Sequence, residues 1–155
     1  AVSLDKKVNS MPIGKLDHVN LRTHRLQEMI DWYGRVLAMP SGARPDFPFP
    51  GAWLYADGYP TVHLNGVGKV GPQGSDLALE HFAFKASGLK DFVAHLKAIA
   101  ERFEVAFVPG MPVVQINVWD PDGNHIHIDF AAAEADGADL PKAVVFGAGG
   151  KLTAM

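Results

Sequence analysis

Seven histidines and no cysteine stand in a chain of 155 residues, so a metal held here is held through nitrogen and oxygen. Four of the histidines sit inside short apolar runs: His18 in Leu16-Asp17-His18-Val19-Asn20-Leu21-Arg22, His63 in Val62-His63-Leu64, His81 in Leu79-Glu80-His81-Phe82-Ala83-Phe84-Lys85, and His127 in Ile126-His127-Ile128. Their spacing is paired. His18 and His63 lie 45 residues apart and His81 and His127 lie 46 apart, so each half of the chain supplies two in the same way. Imidazole is the commonest metal-ligating side chain, and the four together predict one divalent ion, Fe, Ni, Co, Mn or Zn. Four neutral ligands leave that ion its full charge, which sharpens its Lewis acidity and draws anions. An octahedral shell keeps two adjacent positions for a bidentate oxygen ligand, whereas four histidines around tetrahedral zinc leave none and are structural.

Other side chains fall around this set. His125 shares a strand face with His127 and is a candidate base, although its counterpart in the first half, Thr61, cannot supply nitrogen. Arg22 and Lys85 occupy equivalent places further along the histidine-bearing runs and suit an anionic substrate; a solvated strand end is the plain alternative. Gln115 and Asn117 alternate on one run as candidate orienting groups. The segment Arg44-Pro45-Asp46-Phe47-Pro48-Phe49-Pro50-Gly51, followed by Trp53 and Tyr55, offers a stiffened aromatic wall for a small-molecule pocket, with Arg44 at its start. His24 and His95 have no symmetric partner and read as solvated surface.

What must position these residues is a repeated unit. Sliding the chain by 63 lays residues 16–30 over 79–93 without a gap, and ten of the 15 positions pair like with like, among them Asp17 with Glu80. Each copy opens with an alternating run, as a half-buried strand does. A helix comes after it, with Leu26, Met29, Ile30, Tyr33 and Leu37 at helical spacing in the first copy and Leu89, Phe92, Val93, Leu96 and Ile99 in the second. Strand-type runs come next: 52–55 and 61–64 in the first copy, 105–108, 113–119 and 125–130 in the second. Asp120-Pro121-Asp122-Gly123-Asn124 is the reversal before the last. The alternation puts Val19, Leu21, Phe82, Phe84, Ile126 and Ile128 against the helices and turns all four histidines to the other face. The reading is an α+β domain: an arm over 1–12, a first module over 13–66, a linker over 67–76, a second module over 77–131 and a tail over 132–155.

Composition excludes other classes. With 14 basic and 17 acidic side chains the net charge is −3, which lacks the basic excess a nucleic-acid binder needs. No apolar run approaches the 18 or more residues of a membrane span, so the expectation is a cytoplasmic protein acting on a small molecule.

The quoted runs, with LDHVNLRT, WYGRVLAM, TVHL, LEHFAF and DPDGNHIHIDF in order, resemble the vicinal oxygen chelate superfamily. That superfamily includes glyoxalase I, extradiol dioxygenases, fosfomycin- and bleomycin-resistance proteins and methylmalonyl-CoA epimerase. The resemblance covers residues 13–131. It implies two βαβββ modules curling into half-barrels around a divalent metal, with a homodimer as the usual assembly. It also implies metal ligands at His18, His63, His81 and His127, and a base at the last-strand position, so His125 and His127 are the catalytic candidates. This chain carries His127 where glyoxalase I and extradiol enzymes carry a carboxylate, and Asp129 stands about 6.6 Å further along the strand. Lyase or isomerase chemistry, ring-cleaving dioxygenation, and ligand sequestration of the bleomycin-resistance type all stay open, as does a zinc-stabilised structural protein.

Overall fold

The computed structural model describes residues 13–71, 77–146 and 152–153; the expected arm and residues 72–76 of the expected linker lie outside them. Strand β1 (Val19–Thr23), helix α1 (Leu26–Leu37), and strands β2 (Gly51–Ala56) and β3 (Tyr59–Gly66) make the first module. Strand β4 (His81–Lys85), helix α2 (Leu89–Ala98), and strands β5 (Glu104–Phe107), β6 (Val113–Trp119) and β7 (His125–Ala131) make the second. The sheets run β1-β3-β2 and β4-β7-β6-β5. In each, the first strand lies at the edge, parallel to the module's last strand, and the rest are antiparallel. This is the α+β duplication that the offset of 63 predicts.

The copies differ where proline intervenes. The position of β5 is taken in the first module by a single bridge from Ser41 to Leu54, flanked by bonds from Gly42 N to the Trp53 carbonyl and from Tyr55 N to the Pro40 carbonyl, both 3.0 Å. Pro40 has no N–H, and prolines at 45, 48 and 50 interrupt the segment leading to β2, so a full fourth strand cannot extend here. The β2–β3 reversal is tight, with Asp57 and Gly58 both at positive φ (51° and 78°), as two-residue hairpin turns require.

The tail docks. A 3-10 turn (Ala132–Ala135) ends β7. Val144 N then bonds to the Val105 carbonyl at 2.8 Å, and β8 (Val145–Phe146) pairs with β9 (Leu152–Thr153). No helix among the described residues is long and apolar enough to cross a membrane.

One apolar cluster joins both modules, from Leu21, Met29 and Leu54 to Leu89, Ile116 and Phe130. Helix α1 is the hinge of that union. Its buried side chains are Met29, Trp32, Tyr33 and Val36, a stripe rotated from the expected one, because α1 packs on its own sheet and also against the second module. Trp32 Nε1 donates to Glu101 at 3.2 Å, and Tyr33 Oη donates to Asp120 at 2.9 Å. His95 Nε2 bonds to the Arg35 carbonyl at 2.8 Å. His95 is therefore a contact between modules as well as an exposed residue.

Burial first, and then the Asp120 charge, push the Tyr33 phenol well above its ordinary pKa. The folded state keeps the proton while an unfolded phenol loses it above about pH 10. Stability from this group is thus full below that pH and falls as pH rises toward the folded value. Tyr33→Phe should cost about 1–3 kcal/mol at neutral pH. In urea titrations at pH 7, 9 and 11 the gap to the parent protein should narrow at the highest pH; a constant gap contradicts the assignment.

Candidate metal centre

Register sets the rungs of each sheet on the face turned from the helices. In the first module Asn20, His63 and Trp53 form one rung, and Arg22, Asn65 and Gly51 the next. In the second, His81, His125 and Trp119 form one rung, Ala83, His127 and Asn117 the next, and Lys85, Asp129 and Gln115 a third. Thr61 holds the place in the first module that His125 holds in the second, and its Oγ1 is buried without a partner. The second module therefore carries three imidazoles on this face where the first carries two.

Glu80, His81 and His125 bring one ligand atom each to within 4.8 Å of one another. Glu80 accepts hydrogen bonds from Nδ1 of His81 and from Nδ1 of His125, the latter at 3.1 Å. His125 also bonds through Nε2 to Asn117 Oδ1 at 2.8 Å and stacks on Trp119 (5.2 Å, 12°), over which Arg102 lies at 4.2 Å. Burial pulls the pKa of His125 below the ordinary value, with Glu80 acting against it. A neutral imidazole is the form that ligates a metal. Burial alone would raise Glu80, but the bonds from His81 and His125 bring it net below the usual range, so the carboxylate is ionised.

His127 adjoins this group, its ring 4.3 Å from that of His81. Its Nδ1 donates to Asp129 at 2.7 Å, which leaves Nε2 as the free lone pair. Burial holds His127 below the ordinary value despite Asp129. In the first module His18 donates Nδ1 to Asp17 at 2.6 Å and stacks on His63 (4.0 Å, 14°). His63 stacks in turn on Trp53 (4.2 Å, 10°) and bonds through Nε2 to the Pro60 carbonyl at 3.0 Å. Burial, then the neighbouring His18, lowers its pKa.

The four expected ligands thus lie as two pairs, His18 with His63 and His81 with His127. Among the described residues the three-ligand group forms in the second module alone, and it includes a carboxylate. Glu80 escapes a reading by alternation, which assigns it the face opposite His81. It precedes β4, where no pleat fixes its direction, and its match to Asp17 at the offset of 63 is the available signal. Asn117 meets His125 as an orienting group would. Gln115 is buried, with Oε1 lacking a partner. Lys85 lines a crevice of about 300 Å³ between the modules, with Tyr55, Phe84 and Phe130. Arg44 lies against Gly51, where an added Cβ would come within 3.0 Å of its Nη2.

The model of the glyoxalase/bleomycin resistance protein/dioxygenase superfamily matches residues 15–128. No curated protein matches the chain. Among solved structures, a glyoxylase/bleomycin resistance protein/dioxygenase domain from Frankia sp. EAN1pec has a TM-score of 0.63 at 16% identity, covering 77% of this chain and 93% of its own. Lactoylglutathione lyase from Agrobacterium tumefaciens has a TM-score of 0.60 at 16% identity, covering 79% and 98%. A glyoxalase/dioxygenase from Nostoc punctiforme has 0.58 at 20%, covering 76% and 90%. At these identities the likeness is one of fold.

Proposed function

The chain belongs to the glyoxalase/bleomycin resistance protein/dioxygenase superfamily, and from that membership we propose that it is a divalent-metal-dependent enzyme acting on a small molecule with two neighbouring oxygens. The observation that carries the proposal is the convergence of Glu80, His81 and His125. Two imidazoles and one carboxylate fit a divalent ion and leave coordination positions for two substrate oxygens; with open positions this donor set is that of non-haem Fe(II) oxygenases. A metal bound there supplies Lewis acidity to those oxygens.

The chain's own residues do the rest. Asn117 and Trp119 fix the His125 ring, and the Glu80 bonds to the Nδ1 atoms of His81 and His125 hold the three groups where an ion would replace the shared protons. His127, neutral through burial and oriented by Asp129, is the base that takes a proton from the substrate. Ring-cleaving dioxygenation is the first reading, carried by the donor set. Proton transfer of the lyase or isomerase kind is the second, carried by the His127–Asp129 pair. A homodimer sets the first-module face of one copy, with His18 and His63, over the second-module group of the other.

Elemental analysis of the purified protein, then anaerobic loading with Fe, Mn, Co, Ni or Zn, tests the proposal. One metal per chain is expected, with oxygen uptake on a catechol panel for the first reading and solvent deuterium entering an enolisable hydroxyketone for the second. A protein that binds none of the five metals sinks both. Metal binding without turnover of any substrate favours sequestration.

A further inference from the structure

Two unpaired arginines flank one rung of the first sheet. Arg22 on β1 is opposite Asn65 on β3, and Asn65 is opposite Gly51 on β2, where the Arg44 guanidinium lies against the glycine. Neither arginine forms an ion pair among the described residues. Asn20, Arg22 and Asn65, joined by Asn124 from the turn before β7, line a cavity of about 560 Å³ that has no carboxylate in its wall. The equivalent rung of the second module, Lys85, Asp129 and Gln115, carries its own anion. The positive character is thus particular to the first copy.

The adjoining rung is aromatic. Trp53 is stacked on His63, and Phe47 stands 6.4 Å from Trp53 and stacks on Phe49 (5.2 Å, 11°). Phe47 and Phe49 keep 39% and 41% of their surface exposed. Their loop is nevertheless fixed: Arg44 caps both rings at 4.9 and 5.1 Å, donates to the Phe49 carbonyl at 3.0 Å, and three prolines stiffen the chain. Two rings held still and left half in water form a preorganised surface for a flat apolar body. Successive rungs on one face are about 6.6 Å apart, close to the reach from one edge of a substituted ring to a carboxylate on the other.

We propose that the Arg22–Asn65–Gly51 rung, with the Arg44 guanidinium at its Gly51 end, is an oxyanion subsite, and that it takes the carboxylate of an aryl acid whose ring lies along Trp53 and Phe47. The inference rests on the proposed metal-dependent function, in that the rest of such a substrate would present its oxygens toward the histidine rung. Arginine is the side chain suited to a carboxylate, since its planar fork meets two oxygens at once.

The test uses the purified protein at constant ionic strength, with benzoate, acetate and inorganic phosphate as probes and tryptophan fluorescence and thermal shift as readouts. Benzoate is expected to bind more tightly than acetate or phosphate. Arg22→Gln and Arg44→Gln should each weaken it about tenfold or more, Arg22→Lys should restore part of the loss, and Lys90→Gln, at an exposed position of α2, should change nothing. Arg22 holds no loop, so its variant separates binding from folding. Glu80→Gln should retain benzoate binding while losing metal, which separates failure of this subsite from failure of the metal reading. Unchanged benzoate affinity in Arg22→Gln, equal weakening in Lys90→Gln, or benzoate no tighter than acetate overturns the proposal.

Discussion

Glu80→Gln should abolish divalent-metal binding at the proposed centre. Glutamine preserves the shape of the side chain but replaces one carboxylate oxygen by an amide nitrogen, which is a donor. Glu80 accepts from His81 and from His125, so the variant loses the anionic ligand and leaves one of two imidazoles facing another donor. Loss of a residue that only supports a ligand costs roughly 10–100-fold in metal affinity; a ligand that also orients two others should cost more than that range. Competition with a chromophoric chelator reads the change, with elemental analysis for stoichiometry. His18→Ala is the informative companion. In the proposed homodimer its effect should appear only at protein concentrations where the dimer is populated. Glu80→Gln with unaltered affinity and stoichiometry would remove the second-module group from consideration.

The second large effect belongs to Asp120. This carboxylate is 4% exposed and accepts from the backbone N–H of Asp122 at 3.0 Å and of Asn124 at 2.9 Å, from Asn124 Nδ2 and from Tyr33 Oη. It ties the turn together and fastens that turn to the helix of the other module. Burial raises its pKa from the usual value against the pull of these bonds, so part of what the bonds contribute is offset by desolvation. Asp120→Ala leaves several buried donors without an acceptor, and such a loss costs about 3–5 kcal/mol for a buried charged partner. Asp120→Asn keeps one acceptor oxygen and should fall between. Urea unfolding monitored by tryptophan fluorescence measures both, and an alanine variant within about 1 kcal/mol of the parent would refute the role.

Asp120-Pro121-Asp122-Gly123-Asn124 also shows what a sequence makes legible. Proline and glycine announce a reversal, and a reversal is there, since those preferences are local. That Asp120 reaches across to Tyr33, 87 residues away, has no local signature. The strands and helices are legible from period and repeat because burial on one face imposes a period. The orientation of α1 is not, because Trp32 and Val36 are buried through packing that includes the second module, which an isolated helical wheel does not contain. His18, His63, His81 and His127 share the face that alternation assigns. Their grouping is not legible, since sequence gives direction within a sheet but not the distance between sheets. Glu80 escapes because alternation does not hold one residue before the strand begins.

The edge placement of β1 and β4 also governs how the protein is made. β1 pairs with β3 from Val19 to Val62, 43 positions later, and β4 pairs with β7 from His81 to His125, 44 later. Chain leaving the ribosome therefore presents each first strand long before its partner exists, and a contact so distant in sequence closes slowly. The β2–β3 hairpin closes over a far shorter stretch of chain than the β1–β3 pairing does. In the finished molecule β1 and β4 are edge strands, as β2 and β5 are, and edge amides have fewer neighbours to hold them against exchange; β4 begins at His81 and β1 just after His18. The histidines at the start of each module thus stand on or beside strands joined to their sheet by one long-range pairing, so an ion that held them would act as a kinetic clasp on that pairing.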